Sequence, residues 1–172
     1  MKSQKRIFLI FFMIILSIGA DRLTKEIVRS DLPGTKPLTL LKGMLTLDYV
    51  ENKGGVFTLE GLLPEMWRGK TATMGVAVLL GLGFLFLMTA NGLRFLTVLG
   101  LSLFLGGGLS NLFDRIAFGG VVDFVKFGLV GLRPYIFNLA DVEIGIGITI
   151  VIFSIAINFV KAGPFKSIER VR

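Results

Sequence analysis

Four stretches of this chain, 7–20, 71–93, 95–113 and 144–160, contain no Asp, Glu, Lys or Arg. A helix rising ~1.5 Å per residue needs about 17 to 25 apolar residues to cross a hydrocarbon layer roughly 30 Å thick. The last three stretches are that long. The first reaches span length if Lys5 and Arg6 snorkel at one interface and Asp21 sits at the other. Composition agrees: 53% of the 172 residues are hydrophobic and only 18% are charged, against about a quarter charged in an ordinary soluble domain. The expected fold is an all-α membrane bundle of four transmembrane helices.

The first stretch also has the basic start and apolar run of a signal peptide. It runs straight into Asp21-Arg22-Leu23-Thr24-Lys25, and three further spans follow, so it is read as a retained helix. Lys2, Lys5 and Arg6 precede it, and Lys161, Lys166, Arg170 and Arg172 follow the last span. An even number of spans puts both termini on one side, which the positive-inside tendency makes cytoplasmic. A sharp turn at Ala90-Asn91-Gly92-Leu93-Arg94 joins spans two and three. The two long connections then share the opposite face. In the first of them, Met44 to Val50 alternates and is rich in strand formers, Glu51-Asn52-Lys53-Gly54-Gly55 supplies turn residues, and Val56-Phe57-Thr58-Leu59 is strand-like again. These features predict a single integral membrane domain over 1–172. A β-rich insertion over 31–69 forms a small antiparallel extracytoplasmic β-sheet at the membrane surface.

The missing residue types eliminate much chemistry. There is no Cys and no His, so disulfides, thiol nucleophiles, imidazole-based triads and His or Cys zinc sites are all excluded. No phosphate-binding glycine motif opens a helix after a strand. The net charge of +7 collects at the two ends without interleaved aromatics, which fits membrane phospholipids and not nucleic acid. A Ser–Lys dyad through Ser30 and Lys25, or through Ser110, has no spacing that specifies contact. Carboxylates remain. Asp21, Asp114, Asp123 and Asp141 lie near the ends of apolar segments on one predicted side. Two acids brought together near hydrocarbon share one proton, so that one can activate water while the other assists a carbonyl. Acids near hydrocarbon also serve proton-coupled transporters or channels, and that reading stays open beside hydrolysis, as does a non-catalytic scaffold.

Five blocks narrow the choice: Asp21-Arg22-Leu23-Thr24-Lys25; Asn52-Lys53-Gly54-Gly55-Val56-Phe57; Gly106 through Arg115, reading GGGLSNLFDR; Val121-Val122-Asp123-Phe124; and Phe137-Asn138-Leu139-Ala140-Asp141. In this order they resemble the bacterial lipoprotein signal peptidases (signal peptidase II), which are aspartic intramembrane endopeptidases. The resemblance implies that Asp123 and Asp141 are the catalytic pair. It implies a substrate too, the diacylglyceryl-modified prolipoprotein, cleaved just before its lipid-modified cysteine at the outer face of the bacterial inner membrane. Neither cofactor nor metal is implied, and a monomer suffices. Four positions depart from the family pattern: Gly55 and Val56 in the second block, where the family usually carries two alanines, and Gly108 and Ser110, where it usually carries Ala and Gly.

The bland readings stand beside these. Asp141 could be only a helix N-cap. Asn111, Asp114, Arg115 and Asn138 could satisfy one another at a helix end, with Arg115 as counter-charge; they are assigned to a supporting shell around the acids. Asp21 and Lys25, four apart, can form an ordinary ion pair on one helix face and are read as support. Asn52 and Gly54 suit a turn, and the resemblance favours substrate contact from that loop. Gly106-Gly107-Gly108 lies inside an apolar span, where missing side chains allow close approach of helices or of a lipid-modified substrate. Gly81, Gly83, Gly145 and Gly147 are expected to do the same. Trp67, Tyr49 and Tyr135 are candidate interface anchors.

Overall fold

The computed structural model describes residues 3–53, 70–128 and 134–162. Four helices are long and apolar enough to cross a membrane: α1 (Ser3–Asp31), α2 (Lys70–Thr89), α3 (Phe95–Phe118) and α4 (Leu139–Ala162). Their apolar side chains point outward as much as inward. Phe8, Ile15, Leu79, Ile152 and Phe159 are all more than half exposed, as expected where lipid replaces water as the solvent. The interior is a thin seam of Ile10, Ile14, Leu80, Leu87, Val98, Leu105 and Leu112.

α3 is the central helix, and its glycines explain why. A Cβ on Gly106 would lie 2.5 Å from Ser17 of α1, one on Gly107 2.5 Å from the Ala140 carbonyl of α4, and one on Gly108 2.6 Å from the Leu80 side chain of α2. Three consecutive residues, about 100° apart on the helix, thus receive three different neighbours. Of the other four glycines expected to act this way, Gly83 and Gly147 do, while Gly81 and Gly145 face open space.

At one end of the bundle, α2 turns into α3 through Gly92, whose φ is +75°. Here Arg6 does more than snorkel: its guanidinium donates to the Met88 and Ala90 carbonyls, each at 2.6 Å, satisfying acceptors that the end of α2 leaves open. At the other end sits a four-stranded antiparallel sheet in the order β1 (Leu38–Leu40), β2 (Leu45–Asn52), β3 (Val121–Phe127) and β4 (Tyr135–Phe137).

The expected strand over 44–50 is present as β2. Its described partners are β1 and β3, and the strand-like run at 56–59 falls outside the described residues, as does Trp67. The long connection after α3 contributes both β3 and β4. Two helix boundaries also differ from expectation. α1 continues to Asp31, so Asp21 is an interior helix residue with no exposed surface and does not mark the end of the helix. α3 runs past Asp114 to Phe118 and ends on Gly119 in the left-handed conformation, whose N–H bonds the Arg115 carbonyl, a glycine C-cap. Tyr135 is 69% exposed and stacks on Phe137.

Candidate active site

The sheet and the helix ends deliver the polar residues to one place. β2 and β3 pair Asn52 with Val121 and Val50 with Asp123, which makes Asn52 and Asp123 diagonal neighbours on one face of the sheet. The Asn52 amide donates to Asp123 Oδ2 at 3.0 Å. β4 leads directly into Asn138, whose side-chain amide donates to Asp123 Oδ1 at 2.7 Å. Asn138 is also the N-cap of α4. Its Oδ1 accepts from the Asp141 N–H, and its own N–H donates to Asp141 Oδ2, both at 3.1 Å. This is a reciprocal capping box, with Asn and Asp in the usual Ser/Thr and Glu positions. Asp141 is therefore the third residue of the helix, and the cap itself is Asn138.

Asn111 of α3 completes the ring. It donates to Asp141 Oδ1 at 2.9 Å and accepts at its Oδ1 from Lys25 Nζ at 2.8 Å and from Asn138 at 3.1 Å. Both acids are thus held by asparagine amides, which donate to each carboxyl without neutralising it. Asp123 is 4% exposed. Burial raises its carboxyl above the ordinary value and the Asp141 charge adds to this, while the bonds from Asn52 and Asn138 and the charge of Lys25 pull it down.

Beneath the two acids lies a fully buried ionic layer. Lys25 Nζ sits 2.6 Å from Asp21 Oδ2 and 2.8 Å from Asp114 Oδ2, and none of these side chains has exposed surface. The Asp114 contact is an ion pair outside hydrogen-bond geometry. Far from an ordinary surface pair, Asp21–Lys25 joins three helices: Asp21 Oδ1 accepts from the Ala140 N–H of α4 at 2.9 Å, and its Oδ2 accepts from Ser110 of α3 at 2.6 Å. An acid at the start of α4 is also favoured by the helix dipole. Ser110, one of the departures from the family pattern, uses its hydroxyl inside this network. Neither Ser110 nor Ser30 is hydrogen-bonded to a lysine: Ser110 donates to Asp21, and Ser30 to Ile27 and Asp31.

Of the supporting residues expected, Asp21, Lys25, Asn52, Asn111, Asp114 and Asn138 meet in this network. Gly54 lies outside the described residues. Arg115 donates from its guanidinium to the Asn111 carbonyl one turn back, at 3.3 Å, and among the described residues it makes no ion pair with Asp114. Asp114 is balanced by α1 instead, through Arg22 and Lys25, with Arg29 at 3.7 Å. The reason is geometric. Residues 114 and 115 are about 100° apart on a helix, so Arg115 cannot follow Asp114 into the α1–α3 seam.

Sequence reasoning missed Arg22, Arg29 and the hydrogen bond from Ser17 to Glu143 that ties α1 to α4. A signal for each was present: Arg22 adjoins Asp21, Arg29 lies two turns further along the same face, and Glu143 abuts an apolar stretch where a lone acid requires a partner.

The family described as signal peptidase (SPase) II matches residues 13–157. The lipoprotein signal peptidase of Pelodictyon phaeoclathratiforme is 33% identical over 149 residues, covering 81% of this chain and 85% of that protein. That of Clostridioides difficile is 33% identical over 139 residues, covering 81% and 88%. A bacterial membrane enzyme solved by the in meso method at 1.9 Å superposes with a TM-score of 0.69 at 23% identity over 88% of this chain and 92% of that one; at such identity the likeness concerns the fold. With the family's model matching residues 13–157 and relatives 33% identical over about four fifths of its length, this chain belongs to the lipoprotein signal peptidase (signal peptidase II) family.

Proposed function

We propose that Asp123 and Asp141 form the catalytic dyad of this membrane-bound aspartic peptidase, which cleaves the signal peptides of lipoproteins. The observation that carries the reading is that one residue, Asn138, holds both acids, with its side-chain amide on Asp123 and its backbone N–H on Asp141. The charge of Asp141 opposes ionisation of Asp123, so the pair retains one proton between them. The ionised member takes a proton from water, and the protonated member donates to the substrate carbonyl as the water oxygen attacks. The roles then reverse as the amine leaves. Lys25 lowers the cost of the negative charge from beneath. Asn111 and Asn52 keep the carboxyl oxygens aimed.

The substrate proposed is a diacylglyceryl-modified prolipoprotein, cut just before the modified cysteine. The scissile segment lies extended along the sheet beside Asn52 while the acyl chains stay in lipid. Both termini are placed in the cytoplasm and the dyad at the extracytoplasmic face of a bacterial inner membrane. The basic residues flanking the first and last spans support that orientation. The family match supports hydrolysis and lends nothing to the transporter reading.

The test is to incubate purified protein with a lipid-modified precursor and its unmodified counterpart. Cleavage confined to the modified form is expected. Equal cleavage of both, or of neither, contradicts the substrate assignment.

A further inference from the structure

α1 carries two arginines that the dyad does not use in full. Arg22 and Arg29 are seven apart and lie on one helix face. The Arg29 guanidinium stacks 4.2 Å from the ring centre of Phe118, and that of Arg22 lies 5.0 and 5.2 Å from those of Phe113 and Phe118, all within cation–π range. The two rings meet edge to face. Phe113, Ile116 and Phe118 are 52%, 69% and 49% exposed, so this is an outward-facing aromatic surface on a membrane-spanning helix.

Arg22 and Arg29 face one buried carboxylate, Asp114, which Lys25 also contacts. Glu26 is 4.0 Å from Arg29, but its side chain is 73% exposed, and such a pair contributes little in water. Among the described residues, the Arg29 contacts are two ion pairs at 3.7 and 4.0 Å and one ring, and none of them hydrogen-bonds its N–H groups. A guanidinium presents five donors in a planar fork suited to phosphate.

Depth along the helix identifies the acceptor. Arg6 caps α2 at one end of the bundle. Arg22 and Arg29 lie ~24 Å and ~35 Å further along α1 at 1.5 Å per residue, against a hydrocarbon core about 30 Å thick. The pair therefore brackets the far boundary between hydrocarbon and headgroups, with the Phe rings beside it. The geometry points to a phospholipid site, in which Arg29 and Arg22 hold the phosphodiester of one anionic lipid and an acyl chain lies over Phe118, Phe113 and Ile116. The site does not depend on which way the protein faces.

Native mass spectrometry of detergent-purified protein titrated with phosphatidylglycerol reads the affinity for the first lipid bound. Arg29→Gln is expected to weaken it about tenfold, and Arg29→Lys to fall between, since a lysine restores the charge without the fork or the stack. Phe118→Leu is expected to weaken it as well, with no change in charge. Lys36→Gln, which removes a positive charge elsewhere on the same surface, is expected to leave it unchanged. Diacylglycerol and inorganic phosphate, tried as competitors, should not displace the lipid. Thermal unfolding of each variant in detergent establishes that it is folded. The site is overturned by wild-type affinity in folded Arg29→Gln, by an equal loss in Lys36→Gln, or by competition from diacylglycerol.

Discussion

Asn138 and Asp141 exchange hydrogen bonds across the first turn of α4, each accepting from the other's backbone N–H. Asn138 also reaches Asp123 through its amide. Helix initiation and the placing of both acids are thus one structural event. The bland reading of Asp141 as a capping residue and the catalytic reading describe the same contact.

That double duty can be split. Asn138→Ser keeps a side-chain oxygen able to cap α4 but loses the amide donor to Asp123 and Asn111. Its melting temperature should stay near wild type while kcat falls at least tenfold. Asn138→Ala should lose the cap as well, costing about 1 kcal/mol or more. Thermal unfolding and cleavage rates on the same samples check this; full activity in Asn138→Ser would show that the amide does not position Asp123.

The pH dependence follows from burial. Asp123 lies on the sheet with its carboxyl held above the ordinary value, so the folded protein binds that proton more tightly than the unfolded chain. The stability this contributes is complete below the ordinary carboxylate pKa and is lost as pH rises through the raised one. Turnover needs one proton on the pair, so the alkaline limb of kcat marks its loss from the dyad as a whole. Asn52→Ala removes a bond that favours the ionised form; the alkaline limb should move to higher pH while the maximum rate falls. A limb that stays put or moves down contradicts the assignment.

Lys25 is fully buried between Asp21 and Asp114. Lys25→Met leaves two uncompensated buried carboxylates, a loss on the order of 3–5 kcal/mol. Unfolding in detergent should show a large drop in midpoint, far beyond that of Lys36→Met at the surface. Similar midpoints for the two would mean the layer is hydrated and not buried.

The glycine run separates backbone from side-chain obstacles. A methyl on Gly107 meets the Ala140 carbonyl, whereas one on Gly108 meets the tip of Leu80, which can change rotamer. Gly108→Ala, which restores the residue usual in the family, should keep near-normal activity. Gly107→Ala should push the start of α4 outward and cut cleavage at least tenfold. Equal activity in the two would contradict the close α3–α4 approach.

The spans were legible because hydrocarbon demands long uncharged runs, and the family was legible because its residues fall in five ordered blocks. Other features depend on partners distant in the chain. Val121-Val122-Asp123-Phe124-Val125 reads locally as an apolar strip, and only pairing with β2 makes it a strand. The continuation of α1 through Asp21 to Asp31 was hidden because charges usually mark a span's end, and here they face a buried ionic layer. The partners of Asp114 were equally hidden, because Arg22 and Lys25 lie on another helix.

The most direct test is the cleavage rate of a lipid-modified precursor by purified Asp123→Asn and Asp141→Asn, each first shown to fold by thermal unfolding in detergent. Both should insert and fold yet give no detectable product, since neither can complete a dyad that shares a proton. Near-normal turnover by either folded variant would contradict the assignment of these two carboxyls as the catalytic pair.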